Sequence, residues 1–228
     1  MVNDNSFINF FWDNISNWYN NNKRDFAWRK TNNIYYLLLA EFLLQQTNVE
    51  KVEKVYYELI TKYPKLNDLA KADVKELKKI IKPLGLLYRA NRIKNSAKKI
   101  LVDYQGKVPR RLEELKSLPG VGEYIGEAVR CFGFEEKAVP IDTNVIRLFT
   151  RFFGLASKKK RPRNDKKLKE NIRIIYINIY NKNNNIKIKK FNFAVLDFAA
   201  KVCKKSDPKC VFCPLSKQCY KYKFENSN

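Results

Sequence analysis

Apolar residues recur at spacings of three and four over residues 6–22, where Phe7, Phe10, Phe11, Ile15 and Trp18 would share one face. The pattern predicts an amphipathic helix that ends in the run Asn20 to Asn22. From Ile34 to Gln46 the chain is again helical in composition, and further helices are expected over 48–62, 73–82, 88–104, 111–116, 123–132, 142–153, 166–180 and 191–202. One segment is ambiguous: Ile172, Ile174, Ile175, Ile177 and Ile179 alternate partly as in a strand, but the Lys-rich, leucine-bearing run before them favours helix. Breaks fall at Pro64, Pro83-Leu84-Gly85, Gly106 to Pro109, Pro119-Gly120 and Gly133, with charged or Asn-rich loops at 157–165 and 181–190. The second of these loops is of low complexity and carries no chemistry that can be named. The expected class is all-α.

Charge and composition narrow the chemistry. The 228 residues include 46 Lys+Arg against 23 Asp+Glu, a formal net charge of +23, and no histidine. Imidazole acid/base work, Ser-His-Asp or Cys-His catalysis and His-bearing zinc sites are excluded, leaving carboxylates, Tyr, Lys, Cys or a cofactor. An apolar fraction of 45% calls for a folded core, sized for one compact domain or two of roughly 100 residues. So large a basic excess points to a polyanion partner, nucleic acid before membrane. No run approaches a membrane span, and Met-Val-Asn-Asp-Asn lacks a signal-peptide layout, so an intracellular protein is expected. In a reducing compartment, five cysteines suggest metal before disulfides.

Cys203, Cys210, Cys213 and Cys219 follow the spacing C-x6-C-x2-C-x5-C. Four thiolates from one short loop could hold tetrahedral zinc or an iron–sulfur cubane, and the wide outer arms favour a [4Fe–4S] cluster. Cys131, between Arg130 and Phe132, reads as a buried apolar residue.

Leu118-Pro119-Gly120-Val121-Gly122 separates two helical segments. Its glycines permit a tight turn whose backbone N–H groups, with the next helix dipole, could grip a phosphate, although such a turn is also an ordinary helix connector. Gly126 would let the following helix approach closely. Two carboxylates stand out. Glu41 is the lone charge in Ile34 to Leu44, on the stripe of Ile34, Leu37 and Leu38. Desolvation there would favour its protonated form, suiting a general acid or a group that binds a base, or else a structural Glu at a helix boundary. Asp142 follows Pro140-Ile141 and precedes Thr143-Asn144-Val145, the signature of a helix N-cap. An ionised Asp there is expected to keep a low pKa and could also stabilise a developing cation.

In order, Trp28-Arg29, Glu41 in Ala-Glu-Phe-Leu-Leu-Gln-Gln-Thr, Leu118-Pro-Gly-Val-Gly-Glu-Tyr124, Asp142 in Val-Pro-Ile-Asp-Thr-Asn and the cysteine loop resemble the helix-hairpin-helix DNA glycosylases of the endonuclease III superfamily. The resemblance covers about residues 23–220 and lies toward the mismatch thymine and MutY-type adenine branch. It implies two helical domains flanking a DNA-binding cleft: a six-helix module over 30–134, and a discontinuous domain of 1–29 plus 135–228 closed by a [4Fe–4S] cluster. It also implies base excision by nucleotide flipping from mismatch-containing double-stranded DNA, by a monomer.

Endonuclease III-type enzymes carry the nucleophilic Lys where this chain has Tyr124, so the resemblance implies a monofunctional glycosylase using water. Asp142 would stabilise the sugar cation, Glu41 would hold the flipped base, and Tyr124 would pack near the sugar. Trp28, Arg29 and Phe193 would line the base pocket. Gln45 or Gln46 would fill the gap in the duplex, Leu87 or Tyr88 would wedge the opposite strand, and Leu118, Gly120, Val121 and Gly122 would hold phosphate. For the base, the chain's end nine residues after Cys219, Phe193 in Phe191-Asn192-Phe193-Ala194, and the segments Arg24 to Arg29 and Val195 to Ala200 favour thymine or uracil opposite guanine. Gln45-Gln46-Thr47 and the short Gly85 to Arg89 loop look closer to the adenine enzymes. A non-catalytic iron–sulfur DNA-binding protein is the alternative of another class.

Overall fold

The computed structural model describes residues 5–182 and 187–225, and among them no strand occurs. The helices run α1 (Asn5–Asn22), α2 (Ala27–Lys30), α3 (Ile34–Leu44), α4 (Val49–Lys62), α5 (Leu66–Lys71), α6 (Val74–Ile81), α7 (Arg89–Asp103), α8 (Leu112–Lys116), α9 (Glu123–Gly133), α10 (Thr143–Phe153), α11 (Lys166–Lys182), α12 (Ile188–Lys201) and α13 (Tyr220–Glu225). The short α2, α5 and α13, each under two turns of a 3.6-residue repeat, are missing from the expected set. The isoleucine segment is helix: Ile172, Ile175, Tyr176, Ile179 and Tyr180 are buried at three-and-four spacing while Ile174 and Ile177 face solvent. The loop expected at 181–190 is shorter at both ends. Asn181 and Lys182 close α11 and Ile188 opens α12, while 183–186 lie outside the described residues, as do the first four residues of the chain.

Two compact units emerge, one of Asp25–Pro140 and one drawing its described residues from Met1–Arg24 and Ile141–Asn228. The chain crosses between them at 24/25 and 140/141 rather than at 29/30 and 134/135. Arg24 explains the first shift, since its backbone N–H and Nε donate to the Asp197 carboxylate on α12 at 2.8 and 2.6 Å.

In the unit of Asp25–Pro140, α3 is the central element and packs on α9 and α4. Asn33 caps its start by accepting from the Tyr35 N–H, and Tyr35 and Leu37 through Leu43 are all buried. A helix covered on every side has no polar face. Glu41 therefore sits inside an apolar element and not on one stripe of an amphipathic one. Gly126 lets α9 lie against α8, since a Cβ there would come within 2.7 Å of the Leu112 side chain.

The other unit is built on aromatic packing. Phe7 and Phe11 of α1 meet Phe152 and Phe149 of α10 at centroid separations of 4.8 and 5.3 Å. Trp12 and Trp18 meet Phe191 and Phe198 of α12 at 4.9 and 5.1 Å. The buried stripe of α1 is Ile8, Phe11, Ile15 and Tyr19, rotated from the expected Phe7, Phe10, Phe11, Ile15 and Trp18. α10 ends at Gly154, whose φ of +69° is left-handed and whose Cβ, if present, would lie 2.8 Å from the Tyr220 ring. Gly154→Ala should lower stability by about 1–2 kcal/mol from the backbone conformation alone, read as a lower urea midpoint at unchanged slope.

Candidate functional site

Asp142 is the N-cap of α10. Its Oδ1 accepts from the backbone N–H groups of Asn144 and Val145 at 2.8 and 2.7 Å, and its Oδ2 accepts from Asn144 Nδ2 at 2.6 Å. Asn144 is held in turn by Arg147, whose guanidinium donates to Asn144 Oδ1 at 3.0 Å and to the carbonyls of Ala199 and Cys203, both at 2.8 Å. The capping expected from sequence is present, but the low pKa is not. Burial raises the Asp142 carboxyl above its usual value despite the opposing hydrogen bonds and the nearby Arg147 cation. The residue keeps some exposed surface, yet its carboxyl lies among enough protein atoms for desolvation to be the largest influence. Such a carboxylate, when ionised, is under-solvated and gains most from a positive charge arriving in front of it. Asn144 and Arg147 were not singled out from sequence; the Asn two residues past a cap is the one local signal.

In the unit of Asp25–Pro140, Glu41 is 4% exposed on α3. Tyr124, in the first turn of α9, is partly buried against the same core. Trp28 belongs to that core: its ring stacks on Phe26 at 4.8 Å and meets Tyr56 edge-on at 5.6 Å. The Arg29 guanidinium lies 5.2 Å from the Phe26 ring centroid, so Phe26, which sequence reasoning passed over, joins the two expected pocket residues. Phe193, on α12 of the other unit, is buried.

The segment from Leu118 to Gly122 joins α8 to α9 as a helix-hairpin-helix. Val121 N–H donates to the Leu118 carbonyl at 3.0 Å, and Gly120 adopts φ +88° after Pro119, the requirements of a type II turn. No side chain caps α9 at Gly122, which leaves its start suited to an anion. A Cβ on Gly120 would collide with Arg92 at 2.8 Å and press on the Phe42 ring at 3.1 Å, so the turn rests directly on α3 and α7. The two glutamines separate by environment: Gln45 Nε2 donates to the Gly120 carbonyl at 3.1 Å, whereas Gln46 is exposed with φ +51°. Leu87 and Tyr88 are exposed at 41% and 44%.

A family model described as "HhH-GPD superfamily base excision DNA repair protein" matches residues 39–173, from α3 through the hairpin and Asp142 into α11. The chain belongs to the HhH-GPD superfamily. Membership supports DNA N-glycosylase activity. Within the superfamily it is 38% identical over 208 residues to a thymine/uracil-DNA glycosylase of Pyrobaculum aerophilum, covering 90% of this chain and 88% of the relative. It is 31% identical to an adenine DNA glycosylase of Buchnera aphidicola, over 93% of this chain but 58% of that protein. A solved thermostable thymine-DNA glycosylase superposes with a TM-score of 0.86 at 35% identity, covering 96% of this chain and 98% of the other.

For this HhH-GPD protein the expected metal centre needs correction. Among the described residues no group of three or more His, Cys, Asp or Glu side chains is arranged to hold a metal ion. Cys203, Cys210, Cys213 and Cys219 form no disulfide and line one cavity together with Arg151 and Leu215. Burial pushes the Cys213 thiol up to about 12 and moves Cys219 the same way. Arg151 NH1 donates to Cys203 Sγ, and Cys219 Sγ donates to the Arg151 carbonyl, both at 3.5 Å. The reading of a [4Fe–4S] cluster, an iron–sulfur loop and metal binding by these residues is overturned. A spacing in sequence places sulfurs near one another but does not fix their convergence. Among the described residues no helix is long and apolar enough to cross a membrane.

Proposed function

We propose that this protein is a monofunctional DNA glycosylase that hydrolyses the N-glycosidic bond of thymine or uracil mispaired with guanine. The observation that carries the reading is the near-full-length similarity to a thymine/uracil-DNA glycosylase, stronger in identity than that to the adenine enzyme. Tyr124 at the head of α9, where a lyase would need an amine, supports water as the nucleophile.

As the C1′–N bond lengthens, its electron pair leaves with the base and the deoxyribose becomes cationic. The desolvated Asp142 carboxylate, fixed by Asn144 and the α10 backbone, stabilises that cation and accepts a proton from the water that attacks C1′. Glu41 hydrogen-bonds the extruded base in an apolar surround, and Tyr124 flanks the sugar. Gln46, exposed at its turn while Gln45 is committed to Gly120, fills the gap left in the duplex. Leu87 and Tyr88 wedge the opposite strand, and the hairpin at Leu118 to Gly122 grips phosphate.

Duplexes carrying T:G, U:G, A:G and A:8-oxoguanine, treated with the protein and then alkali, test the assignment. Cleavage is expected at thymine and uracil; cleavage at adenine alone establishes the adenine reading, for which the Gln45-Gln46-Thr47 turn speaks. Borohydride added during reaction should trap no covalent adduct, and a trapped adduct would refute the monofunctional mechanism.

A further inference from the structure

Arg89, the first residue of α7, is 1% exposed. None of its hydrogen bonds given by the structure goes to a carboxylate. NH1 donates to the carbonyls of Leu43 and Phe42 at 2.7 and 3.3 Å, and NH2 donates to Thr47 Oγ1 at 2.9 Å and to the carbonyls of Leu84 and Gly85 at 3.0 and 3.2 Å. Burying a cation without an anion is costly unless the geometry is well satisfied. Here the acceptors come from two places at once. Phe42 and Leu43 lie in the last turn of α3, where carbonyls lack helical partners and the dipole favours a cation. Leu84 and Gly85 enter the loop that carries Leu87 and Tyr88. Both turns use left-handed backbone at residues other than glycine, Gln46 at φ +51° and Leu86 at φ +50°. Such conformations persist only where the surroundings over-determine them.

We propose that Arg89 is a positioning residue that locks the Gln46 turn and the Leu87-Tyr88 loop into one rigid insertion device for opening the duplex. The planar guanidinium spans both turns in a single side chain, which a lysine ammonium cannot do. Neighbours extend the device to the hairpin. Arg92 lies 4.5 Å from the Tyr88 ring centroid and its stem packs under Gly120, while Thr47 Oγ1, which accepts from Arg89, itself donates to the Gln45 carbonyl at 3.0 Å. The inference rests on the proposed reading of these turns as the elements that enter DNA.

The test compares Arg89→Lys and the milder Thr47→Val with the wild-type full chain under single-turnover conditions. One substrate carries uracil opposite guanine in a continuous duplex; the other carries it in a three-nucleotide unpaired bubble. Arg89→Lys should slow excision from the duplex roughly tenfold to a hundredfold, the loss expected for a charge-assisted hydrogen bond, and from the bubble by no more than about twofold. Thr47→Val, which leaves four of the five acceptors in place, should show the same bias to a smaller degree and carries the test should Arg89→Lys not fold. 2-Aminopurine beside the target should brighten on binding wild type and less on binding either variant. Equal slowing on both substrates, or no slowing on the duplex, would overturn the proposal by making Arg89 merely structural. If wild type excises neither substrate, the functional reading is what fails, and the fluorescence decides: an equal rise in all three proteins rejects the positioning role, and a smaller rise in the variants upholds it.

Discussion

Asp142→Asn should reduce single-turnover base excision by roughly a thousandfold or more while leaving affinity for mismatched duplex within about threefold. The asparagine keeps an oxygen for the Asn144 and Val145 N–H groups and remains a good N-cap, so α10 should form as before. What disappears is the negative charge that the sugar cation needs, together with the acceptor for Asn144 Nδ2. The direction of the Asp142 pKa adds a second signature. Because the folded protein holds this proton more tightly than an unfolded chain does, its contribution to stability is complete below the ordinary value of about 3.9 and is lost as pH rises through the folded value. The thermal midpoint of Asp142→Asn should therefore improve relative to wild type as pH is raised above about 4. Excision by wild type should rise over the same interval, since only the ionised carboxylate can act. Normal excision by Asp142→Asn would remove Asp142 from the chemistry, and a difference in midpoint constant with pH would show that its proton is not held as described.

Asp197→Ala should cost about 3 kcal/mol of stability, the lower end for breaking a buried ion pair, equivalent to a fall in Tm of roughly 10 °C for a chain of this size. Asp197 has no exposed side-chain surface, whereas Arg24 keeps 24% of its own, so the arginine left behind can partly rehydrate. The reverse change, Arg24→Ala, leaves the buried carboxylate its backbone N–H donor but takes away the guanidinium charge, and should cost a similar amount. Asp197→Asn should fall between wild type and Asp197→Ala, because its amide oxygen can still accept from the Arg24 N–H. Urea denaturation of the three variants reads these differences. A change below about 0.5 kcal/mol in Asp197→Ala would mean that the pair contributes no more than an exposed one.

Asp142 and Asp197 differ in how much of their role the sequence shows. Arg24 and Asp197 stand out in two separate motifs, and nothing in either says that one is the partner of the other. The pairing spans 173 positions and exists only once α1 and α12 pack together. Asp142 reads plainly as a cap, because capping is set by residue type and by the next three residues. Its raised pKa does not, because desolvation depends on what other segments bring to the site. Glu41 is similar: the isolated charge is visible in the string, but the apolar helix around it has no face that periodicity could orient. Gln45 and Gln46 are adjacent and chemically identical, and only the contact with Gly120 distinguishes the one committed to the hairpin from the one left at the surface.

Residue order alone is enough to show that the chain is helical, that a glycine turn joins two of its helices, that a capping Asp opens α10 and that the partner is a polyanion. Each of these is encoded by residue type over a few neighbours or by a sum over the whole chain. Tertiary structure alone decided the buried Arg89 bridge, the anchoring of Arg147 on the Ala199 and Cys203 carbonyls and the Arg24–Asp197 pair. It also decided against the metal centre that the cysteine spacing suggested. The physical reason is common to all four: hydrogen bonding, desolvation and ligand convergence are fixed by distances between distant segments, and spacing along the chain constrains those distances too weakly.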